Sequence, residues 1–352
     1  MNMKILITGG HFTPALALIE ELQKDYQIVF VGRKNTQDKD NLSLEYQEIT
    51  NRKIPFYNLS TGRSTKNILQ VLPGIIQAKK ILTQEKPDLV ISFGGYLGFP
   101  VCFAAMFKKI PFFIHEQTCS PGIANRVTSL FAKKIFVAFS EAANFFPKTK
   151  TIVSGNPLRK EIFQKIKQPF SVNKDQPLIY VTGGSLGAHS INLLIEKILP
   201  QLLEKYLVVH QTGNVSEFND FKRLSRLKNK NYFLTQHLKT DEIGNIYALA
   251  DLVVSRAGAN AYFELLALKK PAILIPLPWS AKNEQQKHAK LFKKTGGGEI
   301  FNQQDAPEKL KMLIDKMFAQ LKNYQNSLNR LPQTDIAYAV QIIKKYVLQE
   351  LN

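Results

Sequence analysis

Apolar positions in this chain fall into short β-rich runs that alternate with segments of helical spacing. Residues 4–8 (KILIT) read as a short buried strand, followed by glycines and a helical run over 14–22. Residues 27–31, 88–92, 111–115 and 134–138 repeat the habit. After residue 155 the pattern restarts, with strands expected at 178–182, 207–211, 231–235, 251–255 and 272–276. Strands alternating with helices predict βαβ units and parallel sheets, an α/β fold.

The two halves resemble each other. Thr8-Gly9-Gly10-His11 follows the first strand of one half, and Thr182-Gly183-Gly184-Ser185 follows the first strand of the other. A DLVIS run at 88–92 leads to Gly94-Gly95, and a DLVVS run at 251–255 leads to Gly258. A repeat on this scale predicts two Rossmann-like domains, over 1–156 and 157–336. Ser154-Gly155-Asn156-Pro157 is the expected hinge, because Gly and Pro punctuate it. A last helical run, 337–348, has no strand after it and could pack on either domain.

Residues 89–107 carry no charge and approach the length of a membrane span. Gly94, Gly95, Gly98 and Pro100 interrupt them, so a buried strand, a glycine loop and a packed helix are expected instead. Two cysteines, Cys102 and Cys119, exclude a disulfide scaffold and suit a reducing compartment. The opening Met1-Asn2-Met3-Lys4 and the short apolar run after it are not expected to form a secretory signal. The net charge of +19 favours an anionic partner. Nucleic acid is not expected, since no compact basic run with interleaved aromatics occurs.

Glycine turns between a strand and a helix present N–H groups to phosphate. The turns at 8–11 and 182–188 are of this kind, yet neither matches G-x-G-x-x-G or a P-loop, which disfavours a dehydrogenase or a P-loop NTPase. His11 directly follows the first turn and is the candidate general base. His115-Glu116-Gln117 ends an expected strand, where open α/β sheets place ligand residues, and Glu116 is the reserve base. Glu264 sits among apolar residues on the helix after Ser255-Arg256-Ala257-Gly258, placed to accept ribose hydroxyls. Gln285 and Gln286 follow a Pro-rich loop and could read sugar hydroxyls. Ile68 to Ile76, flanked by Arg63, Lys66, Lys79 and Lys80, suits an anionic membrane surface.

Seven segments together resemble family 28 of the glycosyltransferases, the MurG transferases that move N-acetylglucosamine from its UDP ester onto lipid I. They are TGGHFTPALAL (8–18), SFGGYLGFP (92–100), HEQTCSPGIANR (115–126), GNPLR (155–159), TGGSLGAHSIN (182–192), SRAGANAYFELL (255–266) and PLPWSAKNEQQKHA (276–289). The resemblance implies a GT-B fold, two Rossmann-like domains with parallel sheets facing across a cleft, and a last helix (337–352) that returns to the N-domain. It implies that the C-domain holds UDP-N-acetylglucosamine. Arg159 and Ser185 would lie at the diphosphate, Glu264 at the ribose, Gly258 nearby, Gln285 and Gln286 at the sugar, and the backbone of His237-Leu238 at uracil. The polyprenyl-diphosphate acceptor would meet Thr8, Gly9, Gly10, Gly94, Gly95, Tyr96 and Thr118 of the N-domain. The implied setting is peripheral, on the cytoplasmic face of the membrane, with no cofactor; no metal ion is expected, on the reading that the chain lacks an Asp-x-Asp ligand pair. Two departures stand out. The family pattern G-G-T-G-G-H is shortened here to Thr8-Gly9-Gly10-His11, and its H-E-Q-N carries Thr118 in place of Asn.

Overall fold

The computed structural model describes residues 3–35, 41–62, 68–184, 187–213, 216–332 and 338–351. The chain divides into two compact units, Met1–Arg159 with Thr334–Asn352, and Lys160–Gln333.

The first unit is built on seven strands: β1 (Lys4–Thr8), β2 (Gln27–Gly32), β3 (Phe56–Asn58), β4 (Leu89–Ser92), β5 (Phe112–Glu116), β6 (Lys134–Val137) and β7 (Thr151–Val153). They pair in parallel in the order β3-β2-β1-β4-β5-β6-β7. A parallel sheet is covered on both faces, which is why its central strands read as unbroken apolar runs. Ile5 and Ile7 face a core shared with Leu18 and Leu22 of the helix Phe12–Leu22 and with Ile343 and Val347 of the helix Ala339–Leu351. Leu6 points the other way, to Ala78 and Leu82 of the helix Ile68–Glu85 and to Val101 and Ala105 of the helix Gly95–Phe107. Lys344 of the last helix adds ion pairs of 2.8 Å to both Glu21 and Asp25.

The uncharged stretch 89–107 is β4, a glycine turn and a helix buried on the sheet. Gly98 and Pro100, read as breakers, lie inside that helix. A Cβ at Gly98 would come within 2.3 Å of Ser92 Oγ, so this glycine lets the helix lie close on β4. Among the described residues no helix is long and apolar enough to cross a membrane.

The second unit repeats the plan with β8 (Leu178–Thr182), β9 (Leu207–Gln211), β10 (Tyr232–Thr235), β11 (Leu252–Ser255), β12 (Ala272–Leu274) and β13 (Gly298–Ile300). Their parallel order is β10-β9-β8-β11-β12-β13. Ile191, Ile195, Leu199 and Leu202 line one stripe of the helix His189–Leu203 and bury it on Ile179 and Val181. In each sheet the strand order reverses beside the first strand, between β1 and β4 and between β8 and β11. Open α/β sheets bind ligands outside the carboxyl ends of strands at such switch points.

Candidate active site

At the first switch point two glycine turns meet. Thr8 pairs with Ser92, so Gly9-Gly10 emerges beside Gly94-Gly95. A Cβ on Gly10 would stand 2.3 Å from the Gly94 carbonyl oxygen, and Gly94 and Gly95 hold φ of +69° and +72°. Only glycines allow this approach. Thr8 itself is fully buried, beneath the turn rather than on its surface.

His11 precedes the helix Phe12–Leu22 without capping it, and its Nδ1 lies 2.7 Å from Gln117 Nε2. The Gln117 amide oxygen is buried and meets no hydrogen-bond partner among the described residues. Burial lowers the His11 pKa, and the Glu116 carboxylate opposes that shift. Glu116 is buried at the end of β5. Its Oε1 accepts from the Thr118 amide (3.0 Å) and hydroxyl (2.9 Å), and its Oε2 accepts from Asn125 Nδ2 (2.9 Å). Thr118, expected at the acceptor, therefore spends both donors on Glu116. His115 Nε2 donates to the Gly155 carbonyl (3.1 Å), and burial pushes its pKa down to about 4. It braces the expected hinge segment as a neutral ring.

At the second switch point Gly183 and Gly187 are fixed by packing. A Cβ at Gly183 would be 2.2 Å from the Ala188 nitrogen, and one at Gly187 2.1 Å from the Thr212 carbonyl oxygen. Among the described residues nothing stands within 4 Å of a Cβ placed at Gly184 or Gly258, which leaves their backbone open to a ligand. Ser185 lies outside the described residues.

Glu264 is buried on the helix Ala259–Ala267, and its Oε2 accepts from the Tyr247 hydroxyl at 2.8 Å. Gln285 Oε1 accepts from the Leu277 amide at 3.0 Å, closing the Pro-rich loop, while Gln286 is exposed. The Leu238 amide donates to Gln211 Oε1 (3.3 Å), and the His237 carbonyl accepts from the Thr235 hydroxyl (3.1 Å). Arg159 closes the first stretch of the first unit and is half-buried.

Two residues were not singled out by sequence reasoning. Gln211, at the end of β9, donates to the Gly184 carbonyl (3.2 Å) and accepts from the Tyr180 hydroxyl (3.2 Å) as well as from Leu238. It ties the glycine turn to the segment expected at uracil. Arg256 donates to Ser190 Oγ (2.6 Å), Gln303 Oε1 (2.9 Å) and the Ile275 carbonyl (3.1 Å), and burial pushes its pKa down to about 10. A strand-end Gln carries no motif of its own, but Arg256 stands inside the SRAGA segment at 255–259.

Against the expectation of a site without metal, the sequence holds one Asp-x-Asp triplet, Asp38-Lys39-Asp40, which lies outside the described residues. Among the described residues no group of three or more His, Cys, Asp or Glu could hold a metal ion.

Two Rossmann-like sheets with glycine turns at both switch points define a GT-B protein, the class to which comparison with known proteins also leads. Residues 8–137 match the glycosyltransferase family 28 N-terminal domain, and residues 178–340 match the glycosyltransferase family 28 C-terminal domain. A curated relative from Clostridium perfringens, the UDP-N-acetylglucosamine--N-acetylmuramyl-(pentapeptide) pyrophosphoryl-undecaprenol N-acetylglucosamine transferase, is 34% identical over 97% of this chain and 98% of its own length. The MurG crystal structure from Acinetobacter baumannii shares the fold at a TM-score of 0.72, with 24% identity over 98% of this chain and all (100%) of that one. So does a UDP-GlcNAc 2-epimerase from Neisseria meningitidis, at a TM-score of 0.70, with 17% identity over 99% of this chain and 100% of that one. The chain belongs to glycosyltransferase family 28 and, within it, to the MurG N-acetylglucosamine transferases.

Proposed function

We propose that this chain transfers N-acetylglucosamine from UDP-N-acetylglucosamine to lipid I, forming lipid II with inversion at the anomeric carbon. The observation that carries this reading is the 34% identity, over 97% of the chain, to a protein named for that transfer.

In this reading the first unit takes the acceptor. The backbone of Gly9, Gly10, Gly94 and Gly95 lies around the acceptor diphosphate, beside Tyr96. His11 removes the proton from the acceptor hydroxyl as it attacks. For that, its Nε2 must carry a lone pair. With the Gln117 nitrogen at 2.7 Å, Nδ1 accepts and the proton sits on Nε2. Half a turn of the amide brings its oxygen to Nδ1, draws the proton there and leaves Nε2 basic. Gln117 is then a positioning residue that sets the tautomer. Glu116, already engaged by three donors, stabilises the imidazolium electrostatically rather than taking the proton itself.

The second unit takes the donor. Glu264 accepts from the ribose, the backbone at His237-Leu238 faces uracil, Gly258 leaves room for the nucleotide, and Gln285 and Gln286 meet the sugar. The diphosphate lies on the Gly183-Gly184 turn with Ser185. As UDP leaves, the positive end of the helix His189–Leu203 stabilises its charge.

The protein acts on the cytoplasmic face of the membrane as a peripheral enzyme. Leu72 and Ile76 are exposed on one face of the helix Ile68–Glu85, and Lys79 and Lys80 are exposed beside them; Arg63 and Lys66 lie outside the described residues. An apolar pair with two lysines beside it suits an anionic bilayer. Sedimentation with anionic but not neutral vesicles is expected; equal binding to both, or none, removes the basic patch.

The function is tested by incubating the purified chain with UDP-N-acetylglucosamine, with and without a lipid I analogue. UDP and a β-linked disaccharide are expected only with the acceptor. Conversion of the donor into its 2-epimer without acceptor would replace the transferase by an epimerase.

A further inference from the structure

Beside the first glycine turn the first unit holds a pocket of about 230 Å³ whose charged side chains the transfer as described does not use. Gly9 and Gly10 bound it on one side, Arg33 and Glu45 on another, with Ser43 and Tyr96 between. Four chain segments meet here at the carboxyl edge of the sheet. The glycines follow β1, Arg33 follows β2, Ser43 caps the helix Leu44–Asn51 that carries Glu45, and Tyr96 lies in the first turn of the helix Gly95–Phe107.

The backbone at Arg33 is pinned. Its carbonyl accepts from the Ser43 hydroxyl, its amide donates to Glu45 Oε1, and the Ser43 amide donates to the Lys34 carbonyl at 2.8 Å. The side chain then runs to the Tyr96 ring, where the guanidinium carbon lies 5.5 Å from the centroid. Among the described residues that guanidinium makes no hydrogen bond or ion pair. A fork of five donors, stacked on an aromatic face and aimed into a half-open pocket, is the arrangement that recognises phosphate and carboxylate. Burial pushes the Glu45 carboxyl up to about 7, so near neutrality a large share of it is uncharged and does not cancel the arginine.

Between Thr8 and Phe12 stand only Gly9, Gly10 and His11. Three residues offer at most three N–H groups to an anion, fewer than a turn of the G-G-T-G-G-H pattern. We propose that this pocket is an oxyanion subsite of the acceptor site, in which the Arg33 guanidinium, held against Tyr96, supplies the charge that the shortened turn cannot. The inference rests on the acceptor reading above. The oxyanion is either the acceptor diphosphate or a carboxylate of its stem peptide.

The test uses the full chain with Arg33→Ala and Arg33→Lys. The acceptor probe is a short-chain prenyl-diphosphoryl muramyl pentapeptide. Arg33→Ala is expected to raise the acceptor KM about ten-fold or more, as loss of a charged hydrogen-bond pair does. UDP affinity, measured by calorimetry, stays at the wild-type value, and kcat changes by less than about two-fold. Arg33→Lys recovers part of the loss, since it restores charge without the fork. An unchanged acceptor KM in Arg33→Ala overturns the proposal. Repeating the assay with a probe lacking the stem peptide separates the sources: a loss that persists assigns the diphosphate, and one that vanishes assigns the carboxylate. If the wild-type chain transfers to no acceptor, the transferase reading is what fails, and titration with inorganic pyrophosphate then tests the pocket. Binding about ten-fold weaker in Arg33→Ala keeps the oxyanion subsite; equal binding in both proteins, or none, removes it.

Discussion

The two units share a strand order around the switch point, yet they furnish it with different chemistry. Around the first glycine turns stand groups that gain or lose protons or carry charge: His11, Glu116, Arg33 and Glu45. Around the second, amides, phenols and a hydroxyl hold backbone and charged groups still: Gln211 on Gly184 and Leu238, Tyr180 on Gln211, Tyr247 on Glu264, and Ser190 and Gln303 on Arg256. In the proposed reading one backbone plan serves as reactive half and as binding half, the division lying in side chains at the carboxyl ends of the strands. The comparison predicts that substitutions in the first unit act on turnover and acceptor, and those in the second on donor affinity.

The largest effect belongs to the base. His11→Ala should lower kcat by about 10²- to 10⁴-fold, with UDP-sugar affinity unchanged by calorimetry. Glu116→Gln sharpens the assignment through pH. The Glu116 charge raises the His11 pKa against the burial that lowers it. Removing that charge should move the acid limb of the kcat profile to lower pH while reducing kcat. If the limb disappears instead, Glu116 is the titrating base and His11 only positions the acceptor.

Next comes Glu264. A buried carboxylate accepting ribose hydroxyls contributes on the order of 2 kcal/mol, so Glu264→Ala should weaken UDP-sugar binding by about ten-fold or more, with acceptor KM little changed. Unaltered donor affinity would remove Glu264 from the site and blunt the contrast between the halves.

Gln211→Ala follows with a smaller loss. It removes neutral hydrogen bonds that join the glycine turn to Leu238, each worth about 1 kcal/mol. Donor affinity should fall by about five-fold, and Gln211→Glu, which sets a buried carboxylate against the Gly184 carbonyl and beside the diphosphate, should fall further. A variant that melts early but binds UDP normally would make Gln211 a stability residue only.

Ten of the thirteen strands were legible, because a strand buried on both faces must be apolar along its length. The three that were not, β3, β7 and β13, are three residues long and lie at sheet edges, with most of their side chains partly exposed. The strand, glycine turn and packed helix over 89–107 were legible too; Gly98 and Pro100 lie inside that helix, where close packing on Ser92 favours the glycine. The glycine turns were legible because backbone shape constrains residue type strongly there. Gln211 was not, since its partners lie 27 residues away in either direction and only the fold brings them together. Thr118 was read as an acceptor contact because it occupies the family's Asn position, while the structure turns both of its donors onto Glu116.

The smallest effect concerns Glu45, and it separates the halves by pH alone. Its carboxyl is pushed up to about 7 from an ordinary value of 4.5, chiefly by burial, with the Arg33 amide and charge opposing. As pH rises from 6 to 8 the pocket therefore gains a negative charge beside the guanidinium that is proposed to hold the acceptor oxyanion. Acceptor KM should rise by about two- to three-fold across that range, a modest change because Arg33 and water screen the new charge. Donor affinity, set in the second unit, should not follow it. Glu45→Gln stays neutral throughout, so its acceptor KM should be flat between pH 6 and 8 and close to the wild-type value at pH 6. Stability carries the same sign. The native state keeps a proton that the unfolded chain has shed above 4.5, so this contribution is fully present below 4.5 and is lost as pH rises through about 7. Melting temperatures at pH 5 and pH 8 should accordingly differ less in Glu45→Gln than in the wild type. A wild-type acceptor KM that is already flat, or one that falls as pH rises, would show that Glu45 does not face the bound anion, and the charged side of the comparison would then rest on His11, Glu116 and Arg33.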